Sequence, residues 1–309
     1  KHAGAGWARK IGMDWAVSLF NQKNNSGGII VSLDADTVVE ENYLEAVCHH
    51  FLKSPGQIAA TIYFEHPHEH VEHESAVVLY ELYMRYYKHA TEHTGHPNSI
   101  YTVGSCFAVK ASAYVAQGGM NRRKAGEDFY FLHKLMPLGE VGYISETTVY
   151  PSARISNRVP FGTGPALKQF VDGNRDLFFT YPLQLFEVLR TFLSQVEWLY
   201  KNNISTADEL TDHTLLVSFF RETNFVAQVN NLKMHCSNQA IFTKRFFHFF
   251  DAFKILKWLN FCIANGVEKK KMVDEAFELL NRKGTEMDKQ TNAKNLLNLY
   301  RSIDKNRKN

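Results

Sequence analysis

The chain has 309 residues, a length that suits about two domains, and its 45% apolar and 13% aromatic content fits packed cores and excludes extended disorder. Thirty-five Lys and Arg against 32 Asp and Glu leave a net charge of +3, too balanced for a protein whose main task is to neutralise a nucleic-acid backbone. Cys48, Cys106, Cys236 and Cys262 form no CxxC pair, no run reaches the ~18 to 20 apolar residues of a bilayer span, and residues 1–14 lack a signal peptide's apolar stretch, so reduced thiols and a cytoplasmic location are expected.

A Gly-rich turn at residues 4–6 leads straight into an amphipathic helix with Ile11, Trp15, Leu19 and Phe20 on helical spacing. A βα unit supplies a strand before such a helix, so the first strands of the fold are expected upstream of Lys1. After the turn Asn24-Asn25-Ser26-Gly27-Gly28, residues 29–33 form a short β-branched apolar run that reads as a buried parallel strand. It ends in Asp34-Ala35-Asp36. Residues 40–53 have helical spacing and stop at Ser54-Pro55-Gly56, and residues 58–64 read as a strand. The pattern then predicts a helix over 75–90, a strand over 101–109, a helix over 126–135 and a strand over 141–150. This alternation argues for α/β layers. Beyond about residue 165 the spacing predicts helices over 182–200, 207–220, 241–264, 271–282 and 293–303. The expected domains are thus an α/β part, residues 1–165, and a helical part, residues 166–309.

Asp34 and Asp36 follow a strand's carboxyl end, where ligands of open α/β sheets bind. In an extended segment both would point to one side and converge on a hard divalent cation, or on a cation and a sugar hydroxyl. The plainer reading is a loop whose Asp side chains cap backbone N–H groups. Glu127 and Asp128 follow a flexible cationic loop, Gly118 to Gly126, and open a helix whose dipole favours an anion there. With Phe129-Tyr130-Phe131-Leu132 behind it, Asp128 suits either a general base at a cleft edge or simple helix capping. Arg154 and Arg158 precede Gly162-Thr163-Gly164, so they read as donors to phosphate oxygens or as solvated arginines of a surface turn.

Residues 4–12 with Ala8-Arg9, then VSLDADTVVEENYL, then VGSCFAVKASAYVAQGGMNRRKAGEDFYFL, resemble in order and spacing the inverting nucleotide-sugar glycosyltransferases of family two, which have the GT-A fold. The resemblance covers residues 1–150 and implies a three-layer α/β sheet, N-terminally truncated here and followed by an all-helical region. In that family the first strands, which hold much of the nucleoside pocket, precede the segment matched by residues 4–12. The resemblance further implies that Asp34 faces the ribose, that Asp36 ligates Mg²⁺ or Mn²⁺ on the diphosphate, and that Arg9 lies beside the nucleotide. Gly104 and Ser105 match the small-residue turn beside the donor sugar, Asp128 the catalytic base and Glu127 its companion. The histidine that often completes the metal site after the last strand has no counterpart here, since no His lies between His133 and His213. The implied partners are a nucleotide-sugar donor and a glycan, lipid-linked or protein acceptor. A non-catalytic module that binds a partner through its helices is the second reading, and a nucleotidyltransferase, without a Gly-rich, Lys-terminated phosphate loop, is the third.

His66, His68, His70 and His73 alternate with acids around Pro67, which predicts a solvent-exposed loop ahead of a metal site or acceptor contact. Phe242, Phe246, Phe249, Phe250, Phe253, Leu256 and Leu259 form a wide apolar stripe opposite Lys244, Lys254 and Lys257. Core packing is its first reading, and peripheral contact with an anionic membrane surface its second.

Overall fold

A computed structural model describes residues 4–25, 27–69, 71, 73–124, 126–154, 163–173, 176–288 and 290–307. In chain order its elements are α1 (Ala5–Gln22), β1 (Ile29–Ser32), β2 (Val38–Val39), α2 (Tyr43–Lys53), β3 (Gln57–Phe64), α3 (Glu74–His93), β4 (Phe107–Lys110), α4 (Ala111–Ala116), α5 (Glu127–Leu135), β5 (Glu140–Tyr150) and α6 (Thr163–Val171). There follow β6 (Phe179–Thr180), α7 (Leu183–Leu193), α8 (Val196–Lys201), α9 (Thr214–Glu222), α10 (Phe225–Met234), α11 (Gln239–Phe249), α12 (Ala252–Ala264), β7 (Lys270–Lys271), α13 (Met272–Arg282) and α14 (Ala293–Lys305). They divide into two compact units: Lys1–Met84, Ile100–Leu177 and Gln290–Asn309 make one, Arg85–Ser99 and Phe178–Lys289 the other. The division differs from the single boundary at residues 165 and 166, because α14 packs against β5 in the sheet unit.

In the sheet unit the strand order is β1-β4-β3-β5-β2. β4 pairs antiparallel with both β1 and β3, and β3 pairs parallel with β5, so β1, β3 and β5 share one direction and end on one edge of the sheet. Successive residues alternate between two cores, as the two-residue period of a strand dictates. Ala59, Phe107 and Val109 pack with Met13, Phe131 and Leu135 on one face, while Ala60, Ile62 and Ala108 pack with Tyr43, Val47 and Phe51 on the other. The result is the layered α/β arrangement expected of a GT-A fold.

Two expectations need correction here. Residues 29–33 do not form a buried parallel strand: the ladder of β1 is antiparallel to β4, and Ile30 and Ser32 are buried while Ile29 and Val31 are half-buried. A short, mostly apolar run looks the same in either pairing. His66 and His68 are buried rather than exposed. His66 donates its backbone N–H to Glu81 Oε2 at 2.7 Å and places Nδ1 3.2 Å from the same oxygen, with Nε2 3.1 Å from Thr163 Oγ1. Arg301 of α14 closes this buried network, donating to Glu81 from Nε at 2.8 Å and from Nη2 at 2.7 Å. His70 lies outside the described residues.

The helical unit has its own aromatic core around Phe192, Phe220, Phe225, Phe246 and Phe250, with Phe220 and Phe225 stacked at 4.1 Å. Trp258 is fully buried and donates from Nε1 to the Leu185 carbonyl at 3.2 Å. The helix expected over 241–264 is two helices, because the Asp251 side chain accepts from the Lys254 N–H at 3.0 Å and starts α12 afresh. Phe242, Phe246, Phe250 and Leu259 of that stripe are buried, as the core reading expects, while Phe249, Phe253 and Leu256 are half-buried. Among the described residues no helix is long and apolar enough to cross a membrane.

Candidate functional site

The site gathers at the sheet edge where β1, β3 and β5 end. α1 brings Arg9 there, and its first turn lies so close to residues 121–124 that a side chain at Gly6 would stand 2.6 Å from the carbonyl oxygens of Asn121 and Arg123. All three nitrogens of the Arg9 guanidinium are engaged. Nη2 lies 2.6 Å from Asp34 Oδ1, Nε donates to Glu127 Oε1 at 3.0 Å, and Nη1 donates to Ser32 Oγ at 2.8 Å. Ser32 passes the chain on, donating to the Gly104 carbonyl at 2.7 Å, and Ser105 donates to Asp34 Oδ2 at 2.7 Å. Burial opposes the charge on Arg9, but Asp34 and Glu127 outweigh it and move its pKa upward. Gly104 is required by contact: a Cβ there would overlap Arg9 Nη2.

α5 begins after Gly126, which takes the left-handed conformation at φ 67° and so turns the chain into the helix. Glu127 is buried against Arg9, and the next residue, Asp128, is partly buried with Oδ1 accepting from the Phe129 N–H at 2.7 Å. Desolvation and then the neighbouring Glu127 carboxylate push the Asp128 carboxyl up to about 7, while the Phe129 N–H and Arg9 pull it back. Burial pushes the Cys106 thiol well up; Asp34 adds to that shift, Arg9 opposes it and Asp128 adds further. The cationic loop before α5 is braced: the guanidiniums of Arg122 and Arg123 lie 4.7 Å and 3.4 Å from the ring centres of Trp7 and Tyr130.

Asp34 to Thr37 is a turn closed by the Thr37 N–H on the Asp34 carbonyl at 3.0 Å, not the extended segment expected. The two Asp side chains therefore take different partners. Asp34 holds Arg9 and Ser105, whereas Asp36 Oδ2 lies 2.6 Å from Nη2 of Arg154, four residues past β5. No three His, Cys, Asp or Glu side chains converge among the described residues as a resident metal site requires. Asp36 still offers a carboxylate, and Mg²⁺ commonly binds through one or two carboxylates plus substrate phosphates and waters. The donor set thus fits a hard cation that arrives with a diphosphate. Arg158 lies outside the described residues.

A cleft of about 590 Å³ runs along β1 to Asp34, between residues 29–35 and the small face of α1 at Ala5, Ala8, Gly12 and Ala16. Asp128 is not in its lining and joins the site through Glu127 and Arg9. Ser32 was not among the sequence candidates, although a hydroxyl closing an apolar strand just before two acids marks it out.

The family described as glycosyl transferase family group 2 matches residues 29–200, more than half of the chain. No curated protein and no solved structure matches.

Proposed function

This chain belongs to glycosyl transferase family group 2, whose members take a nucleotide-sugar donor and an acceptor, and on that premise we propose an inverting hexosyl transfer from a nucleoside-diphosphate sugar to an acceptor hydroxyl. Asp128 is the general base. It removes the proton of the acceptor hydroxyl as that oxygen attacks the anomeric carbon, in one displacement that breaks the bond to the diphosphate and inverts the centre. Burial, with the Glu127 carboxylate adding to it, keeps the Asp128 pKa close to neutrality, and Glu127 through Arg9 fixes the start of α5. Asp34 accepts from a ribose hydroxyl with its orientation set by Arg9 and Ser105, and the Gly104-Ser105 turn leaves room for the donor sugar. Asp36 holds Mn²⁺ or Mg²⁺, which when bound supplies Lewis-acid neutralisation of the leaving diphosphate. Arg154 presents a fork of N–H donors to the same anion, with Arg158 the second candidate there. The acceptor hydroxyl belongs to a glycan, a lipid-linked carrier or a protein.

The observation that supports this reading most is the Arg9 guanidinium, which binds both the acid assigned to the donor and the acid next to the assigned base. The test is transfer from a panel of UDP-, GDP- and CDP-linked hexoses with Mn²⁺, with the anomeric configuration of the product read by NMR. An α-linked donor should give a β-linked product, and Asp36→Ala should abolish turnover. Retention of configuration would overturn the single displacement.

A further inference from the structure

Two arginine–carboxylate pairs of equal length stand at this site, and their surroundings differ. Arg9 Nη2 and Asp34 Oδ1 are 2.6 Å apart, and although Asp34 is 47% exposed, the Arg9 side chain is only 10% exposed and is held by two further acceptors, while Ser105 holds the other Asp34 oxygen. Arg154 Nη2 and Asp36 Oδ2 are also 2.6 Å apart, but these side chains are 53% and 35% exposed, and no other side-chain partner of Arg154 is among the described contacts. Solvent-screened pairs of this kind hold weakly and exchange readily. Arg154 and Asp36 sum to zero; a divalent cation added alone brings the group to a net +2, and the doubly negative diphosphate of a sugar nucleotide added alone brings it to a net −2. Both together restore neutrality.

We propose that Arg154 is an exchangeable counter-ion, which neutralises Asp36 in the free enzyme and moves to the donor's diphosphate when a divalent cation takes the carboxylate. This rests on the reading of Asp36 as the cation's ligand. Arg154 thereby makes cation and diphosphate bind together, because each removes the charge that excludes the other. It is a donor-binding residue, distinct from Arg9, whose three contacts tie it to the fold.

The test uses the 309-residue chain and two probes: Mn²⁺ alone, followed by the EPR signal of the free ion, and inorganic pyrophosphate with EDTA, followed by calorimetry. Arg154→Gln should tighten Mn²⁺ by about three- to tenfold and weaken pyrophosphate by a similar factor, and Arg154→Lys should stay near the parent in the first assay. Opposite signs from one substitution are the signature, since a merely structural role weakens both ligands. An unchanged or weakened Mn²⁺ affinity in Arg154→Gln overturns the exchange. Asp36→Asn separates the two readings: if it abolishes Mn²⁺ binding while Arg154→Gln has no effect, only the counter-ion role fails. If Mn²⁺ binding survives Asp36→Asn, or is absent from every variant, the cation assignment fails and the exchange with it.

Discussion

Arg9 Nε and Glu127 Oε1 stand 3.0 Å apart although 118 positions separate them in the chain. This pair fastens α1 to the first residue of α5, and the same guanidinium fastens both to the turn after β1. Removing one partner of a buried pair leaves the other charge without compensation, so Arg9→Ala should destabilise the protein by about 3–5 kcal/mol in urea unfolding. Arg9→Lys should recover only part of that, because an ammonium cannot span three acceptors in a plane. A loss under about 1 kcal/mol for Arg9→Ala would show that the guanidinium does not organise the site.

Gly104 and Arg9 should be coupled in a double-mutant cycle. Gly104→Ala places a methyl group where Arg9 Nη2 lies, and the three contacts of the guanidinium leave it little room to yield. The single substitution should cost about 1–3 kcal/mol, and most of that cost should vanish in an Arg9→Ala background. Additive costs would place the strain elsewhere.

The Asp128 carboxyl, pushed from 3.8 to about 7, gives two pH signatures. Its folded-state pKa is raised, so its contribution to stability is present below about pH 4 and is lost as the pH rises through about 7. Asp128→Asn should therefore match the parent at pH 4 and exceed it by about 1–3 kcal/mol at pH 8. Catalysis runs the other way, since a base must be ionised: kcat/KM should rise with a midpoint near pH 7. Glu127→Gln removes a carboxylate that raises this pKa, so the midpoint should move to lower pH.

Much of the architecture was legible because β3 is a nearly unbroken apolar run bounded by turn residues and α3 is a long segment with a clear helical period. β3 and β5 occupy 57–64 and 140–150, against 58–64 and 141–150 expected. Shorter segments were less informative. β1 offered three apolar residues, a serine and no sign of its antiparallel partner, and α10 escaped notice because Gln228, Asn230 and Asn231 interrupt its apolar face. The acids and glycines of the site could be placed by their neighbours in sequence. Their partners could not: Arg9 meets Glu127, and His66 meets Glu81, Thr163 and Arg301, only through long-range folding.

α14 belongs to the sheet unit through Arg301, which reaches Glu81 with two N–H groups and the His66 carbonyl with Nη2 at 3.0 Å. Arg301→Ala takes two charged N–H donors from the fully buried Glu81 carboxylate, which keeps its His66 contacts, and should cost about 3–5 kcal/mol in urea unfolding. A variant ending before Ala293 should show a comparable loss. If both unfold like the parent, the network does not hold the helix.

The central claim is that Asp128 removes the acceptor's proton, and turnover measured beside donor binding tests it most directly. With the donor found active in the hexose panel, Asp128→Asn should bind that donor within about threefold of the parent and lose about 10²- to 10⁴-fold in kcat. Turnover within about tenfold of the parent at unchanged donor affinity would contradict the assignment.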